Sequence, residues 1–107
     1  MASYYKNAKV DLTSTGVTVL YTAPAATTAV FKSILVADDS GNTSTITLTL
    51  TDSDAAVFVL FSAKATGASA TVELLTQPLV VQESEILKVT AANANRLHVV
   101  GSYLEIT

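Results

Sequence analysis

The chain has 107 residues, a net charge of −3 at neutral pH and no cysteine. That length suits one domain, and without cysteine there can be no disulfide, thiolate nucleophile or cysteine-ligated zinc. Its six basic residues, Lys6, Lys9, Lys32, Lys64, Lys88 and Arg96, are scattered, without the clustered positive charge that nucleic-acid binding demands.

Hydrophobic residues make up 50% of the chain and charged residues only 14%, against about 25% charged in ordinary globular domains. Thr and Ala are the commonest residues. Thr combines a solvent-tolerant hydroxyl with the β-branched stiffness that strands favour. Such a low-charge surface suits packing against other proteins.

Residues 1–11 hold no apolar run of the kind found in export signals, and no later segment approaches the ~20 successive apolar residues of a membrane span. An unprocessed, soluble protein without membrane association is expected. Ser3-Tyr4-Tyr5-Lys6-Asn7 sets two aromatics among polar residues ahead of the first regular strand. One reading makes residues 1–11 an arm that leaves a domain of residues 12–107. Tyr4, Tyr5 and Lys6 would then be partner-binding anchors, since Tyr brings large contact area at low entropic cost. Such an arm should be removable over residues 2–9 without loss of the fold. The other reading folds Tyr4 and Tyr5 back as caps on the domain's own core.

Residues 16–21 read as a strand ending at Ala23-Pro24. Residues 27–37 carry Ala29-Val30-Phe31 and Ile34-Leu35-Val36, followed by the turn-forming string Asp38-Asp39-Ser40-Gly41-Asn42. The clearest signal follows, where Ile46, Leu48 and Leu50 alternate with Thr45, Thr47, Thr49 and Thr51, the period of a half-buried strand. Residues 27–37 and 43–51 together read as a hairpin. After the polar break Asp52-Ser53-Asp54, residues 57–61 are continuously apolar, which predicts a strand covered on both faces, where sheets meet or protomers touch.

Thr66-Gly67 marks a turn, residues 70–76 are strand-like, and Gln77-Pro78 opens a bend. Residues 79–81, 86–91 and 96–106 complete about eight antiparallel strands, separated by Glu83-Ser84-Glu85 and Ala92-Asn93-Ala94-Asn95. That spacing predicts an all-β single sandwich, jelly-roll or immunoglobulin-like, with an N-terminal arm.

Acidic residues fall in close groups, Asp38 with Asp39, Asp52 with Asp54, and Glu83 with Glu85, which raises calcium binding or paired-carboxylate catalysis. The first two groups lie at opposite ends of the predicted strand 43–51, roughly 30 Å apart at the strand rise, so turn capping is the expected role. His98 alternates with Leu97 and Val99 and so faces away from them, as a surface or interface residue. No nucleophile, Gly-rich elbow or oxyanion loop accompanies it. Isolated glycines exclude a phosphate-cradling loop, and Gly101 within a strand reads as a bulge or close backbone approach. Phe31, Phe58, Phe61 and Tyr103 are expected in the core or at a subunit interface, with an aromatic sugar platform as the alternative. The chain is expected to be no enzyme and to need no metal or cofactor.

The stretch Val19-Leu20-Tyr21-Thr22-Ala23-Pro24, continuing through Phe31 to Val36, a polar turn and the Thr-alternating strand to Leu50, resembles small virion structural proteins of tailed bacteriophages. There a strand ending in a Tyr-Thr-x-Pro turn leads to a second strand, a polar turn and a Thr-rich strand. The resemblance implies a β-sandwich that acts through oligomeric packing, with no catalytic residues to carry over. A capsid decoration or cement protein, a tail, neck or baseplate component, and a fibre attachment part all fit it. Decoration is the favoured expectation, because the chain is one compact domain with a potential N-terminal arm, lacks shaft repeats and has a low-charge surface. The implied partners are the major capsid protein or other virion proteins, in a homo-oligomer, commonly a trimer, on the virion surface. A carbohydrate-binding sandwich module is the alternative of another class.

Overall fold

A computed structural model describes residues 3–107. Nine strands form two sheets: β1 (Ser3–Leu12), β2 (Thr18–Thr22), β3 (Thr28–Asp38), β4 (Ser44–Thr51), β5 (Val57–Thr66), β6 (Thr71–Glu73), β7 (Leu79–Val81), β8 (Ile86–Ala91) and β9 (Leu97–Ile106). One sheet runs β1-β9-β3-β6, with β7 also on β3, and the other runs β2-β8-β4-β5.

Pairing is nested and antiparallel throughout. β1 lies on β9, β2 on β8, β3 on β6 and β7, and β4 on β5. Counting β6 and β7 as one interrupted strand, this first-with-last wrapping of eight strands over two sheets is the jelly-roll form of the expected sandwich.

The core lies between the sheets. Phe31, Ile34 and Val36 from β3 and Leu97 and Val99 from β9 meet Ile46 and Leu48 from β4 and Leu87 and Val89 from β8, all essentially without solvent contact. Bulges adjust which residues face inward. At Lys32 the β3–β9 register slips by one, so Phe31 and Ile34, three apart, both enter the core. At Leu20 the β2–β8 register slips likewise, and Leu20 and Tyr21 are both buried. Such one-residue insertions redirect side chains without ending a strand.

Three expectations need correction. Residues 27–37 and 43–51 are not a hairpin, because β3 and β4 belong to different sheets. The turn at Asp38–Thr43 is an arch that sets the apolar faces of β3 and β4 toward each other, so their residues meet through side chains and not through a ladder. The segment expected to leave the domain as an arm is an edge strand, paired with β9 from Ser3 opposite Ile106 to Leu12 opposite Leu97. Its reason is legible in Ala8, Val10 and Leu12, whose alternation points inward while Lys9 and Asp11 point out. Removing residues 2–9 would therefore strip most of β1 from β9. Finally, β5 is not covered on both faces but lies at the sheet edge with Val57, Phe58, Val59 and Leu60 exposed.

Between the stretches of β3 paired with β7 and with β6, residues 32–34 lack a strand partner on that edge. Glu73 fills the gap. Its carboxylate accepts from the Ile34 amide at 2.7 Å, from the Leu75 amide at 3.1 Å and from the Ser33 hydroxyl. The Leu74 amide in turn donates to the Ile34 carbonyl at 2.9 Å. Partial burial works to raise the Glu73 pKa, but the converging donors outweigh it and hold the group below the usual carboxylate range.

Candidate interaction surface

Each acidic group found in the sequence closes a turn. Asp38 Oδ1 accepts from the Ser40 amide and hydroxyl, both at 2.9 Å, and Asp52 Oδ1 from the amides of Asp54 and Ala56, both at 2.9 Å. Glu85 Oε1 accepts from the Gln82 amide at 2.7 Å, and Glu83 from the Ala26 amide. For Asp38, Asp52 and Glu85 this is the local role that acidic side chains play where backbone donors are left over, whereas Glu83 reaches across to the separate turn at Ala26. Among the described residues no three of His, Asp and Glu converge as metal ligands.

Tyr4, Tyr5 and Lys6 are adjacent on β1 but divide between its two faces, with Lys6 Nζ 5.8 Å from the centre of the Tyr4 ring and Tyr5 on the opposite side. Lys6 points to the inner side, where Nζ lies 2.8 Å from Glu105 Oε1. Glu105 is buried, and its Oε2 accepts from the Tyr21 hydroxyl at 2.6 Å. The bonds from Lys6 and then Tyr21 hold the Glu105 carboxyl below its ordinary range against its burial. Lys6 is raised by the same bond, and the Tyr21 phenol is pushed far up, by burial first and Glu105 second. Beneath this cluster Tyr21 meets Phe31 edge-on at 5.3 Å, and Phe31 stacks on Tyr103 at 4.8 Å. Gly101 supports the stack, since a Cβ there would come within 2.7 Å of the Phe31 ring. Lys6 is thus committed to the fold, closing one end of the core.

Tyr5 faces the other way and is 79% exposed. It stands directly opposite Leu104, which is opposite Val30, which is opposite Val80. Because directly paired residues share a face, these four form an apolar row across β1, β9, β3 and β7 on the outer side of the larger sheet. Farther along the same face, Val100 pairs with Leu35, both exposed, between Lys9 and Glu73. The far end is charged. His98 faces outward, with Nε2 3.2 Å from Asp11 Oδ1 and 3.7 Å from Asp39 Oδ2.

The second apolar surface is β5. Val57, Phe58 and Val59 are each more than half exposed. Phe61 packs partly against the core, so the aromatic set divides: Phe31 and Tyr103 are core residues and Phe58 is a surface residue. Sequence reasoning missed the outer-face row because its four members, Tyr5, Val30, Val80 and Leu104, are brought together only by the register of four strands. No known protein family and no curated protein matches this sequence.

Proposed function

We propose that the protein is a structural component of a tailed-phage virion, a decoration or cement protein that lies on the capsid and bridges neighbouring capsid subunits. The observation that carries this reading is the outer face of the larger sheet, where Tyr5, Leu104, Val30 and Val80 present a continuous apolar row. Contiguous exposed apolar area of this kind marks an interaction site, and an open sheet face suits a broad lattice contact better than an enclosed ligand. The low charge of the chain and the pattern of residues 20–50 support the same reading. The jelly-roll by itself does not, because that fold serves capsid proteins, lectins and enzymes alike.

The mechanism is additive. Each copy buries on the order of 1,000 Å² against the lattice, binds only the assembled shell, and so shifts its stability by mass action. The buried carboxylate is held by Lys6 and Tyr21, and the reading assigns the chain no catalysis.

Electron cryo-microscopy of particles carrying the protein tests this. Density in hundreds of copies over the capsid, with Tyr5 at the contact, is expected, together with loss of particle binding by a folded Tyr5→Glu variant. A few copies at the tail or neck, or none on any particle, would overturn the decoration reading. Selective binding on a glycan array would favour a carbohydrate module instead.

A further inference from the structure

We infer that β5 is the strand through which two copies of this chain pair, edge to edge and antiparallel about a two-fold axis. Among the described residues the order β2-β8-β4-β5 leaves the outer edge of β5 without a strand partner, so a row of backbone donors and acceptors is open to another chain. Edge strands that stay single usually carry charge to prevent this. β1, the edge of the other sheet, does so with Lys6, Lys9 and Asp11. In β5 the stretch from Val57 to Phe61 has no charge, and Val57, Phe58, Val59 and Leu60 are all exposed.

The charges that do flank this stretch choose the occupant. Asp52 and Asp54 precede it and Lys64 follows it. A second copy laid antiparallel brings each acidic end to the other's basic end, whereas a parallel copy brings like to like. With the axis at Val59, Val59 meets Val59, and the turn that carries Asp54 in each copy lies toward the Lys64 end of the other, beyond the bulges at Leu60 and Ser62–Ala63. The stretch Val57–Val59 keeps one register with β4, and the bulges lie beyond it, at Leu60 and at Ser62–Ala63. The axis at Val59 therefore falls at the end of the regular stretch. β2, the opposite edge of this sheet, has only five residues and a bulge at Leu20, which makes it a poorer template.

Such pairing joins two four-stranded sheets into one, an isologous contact that closes on itself. It supplies the self-contact that the decoration reading calls for and rests on that reading only there. It is two-fold, where the phage resemblance implies three-fold, and solution pairing and particle location fail separately.

Sedimentation velocity of the purified protein up to about 1 mM tests the inference, with dissociation expected in the micromolar range for a contact at the small end of stable interfaces. Val59→Lys puts two lysines face to face at the axis and should give a monomer that melts as the wild-type protein does at concentrations below its dimer dissociation, since Val59 is 59% exposed. Lys64→Glu should weaken pairing about tenfold, more at low salt, and adding Asp54→Lys to it should restore most of the loss. Asp54 suits the swap because the turn is held by the carboxylate of Asp52. A monomer at every concentration, a trimer or larger ring, a dimer that survives Val59→Lys, or a dimer indifferent to Lys64→Glu would each overturn it.

Discussion

Replacing Gly101 by Ala tests whether the core end is as tightly set as its geometry indicates. The new Cβ would lie 2.7 Å from Phe31 Cε2 and 3.1 Å from Cδ2, where ordinary contact begins near 3.4 Å. The ring must retreat by roughly 0.7 Å to recover a normal van der Waals separation. It has little room, since Phe31 is fully buried between Tyr21 at 5.3 Å and Tyr103 at 4.8 Å. Overpacking of this kind costs about 2 kcal/mol, which at this chain length lowers the melting temperature by about 8 °C. Urea denaturation of Gly101→Ala, Phe31→Leu and the double variant measures the coupling. Phe31→Leu alone should cost about 1–2 kcal/mol through its cavity. In that background Gly101→Ala should cost under about 0.5 kcal/mol, because the ring edge it strikes is gone. An unmoved midpoint for Gly101→Ala, or the same cost in both backgrounds, would refute the reasoning.

Acid should weaken the fold through Glu73 and Glu105. Both are depressed in the folded state, so their contribution is present above the unfolded value of about 4.3 and lost as pH falls through the folded values. Urea midpoints measured from about pH 6 to about pH 2.5 should show Glu105→Gln less stable than wild type at neutral pH and flatter on the acid limb. Tyr21 and Tyr103 are raised, so their contribution is complete below the unfolded value of about 10 and lost as pH rises through the folded values. Tyr21→Phe should blunt alkaline unfolding followed by circular dichroism. Thr51 Oγ1 is buried with no hydrogen-bond partner among the described residues, and Thr51→Val should raise stability by about 1 kcal/mol in urea titrations. Ala55 holds φ at 64° in the turn closed by Asp52, and Ala55→Gly should raise the melting temperature slightly, by relief of up to about 1 kcal/mol.

What the sequence disclosed was local. The Thr–Leu alternation of residues 45–51 gave β4, and the turn residues bounded β3 and β8 because the side chains of Asp38 and Glu85 bond to backbone nearby in sequence. Gly101 was readable as a close approach, since a lone glycine in a strand has few other reasons to be there. Partner choice was not readable. The string Asp38 to Asn42 says that the chain reverses, not whether the next strand continues the same sheet or crosses to the facing one. The aromatic pair Tyr4-Tyr5 fits an arm as well as a strand, and only the weaker alternation Ala8, Val10, Leu12 places β1 in the sheet. The apolar run of β5 read as doubly covered because period-two logic cannot tell a buried strand from an exposed edge. The Tyr5 row required four strands in register, information that no single segment holds.

The nesting of first strand against last bears on how this protein can carry load. Ser3 and Ile106 sit opposite each other at one end of the β1–β9 ladder. Tension drawn through both chain ends falls on that rung alone, and each further rung feels it only after the one before has parted, so the ladder unzips. Tension entering β1 near Leu12 and leaving β9 near Ile106 would shear all ten pairs at once. A domain paired in this way therefore resists load best when gripped across its faces and along its strands, and Ser3 and Ile106 are the wrong handles.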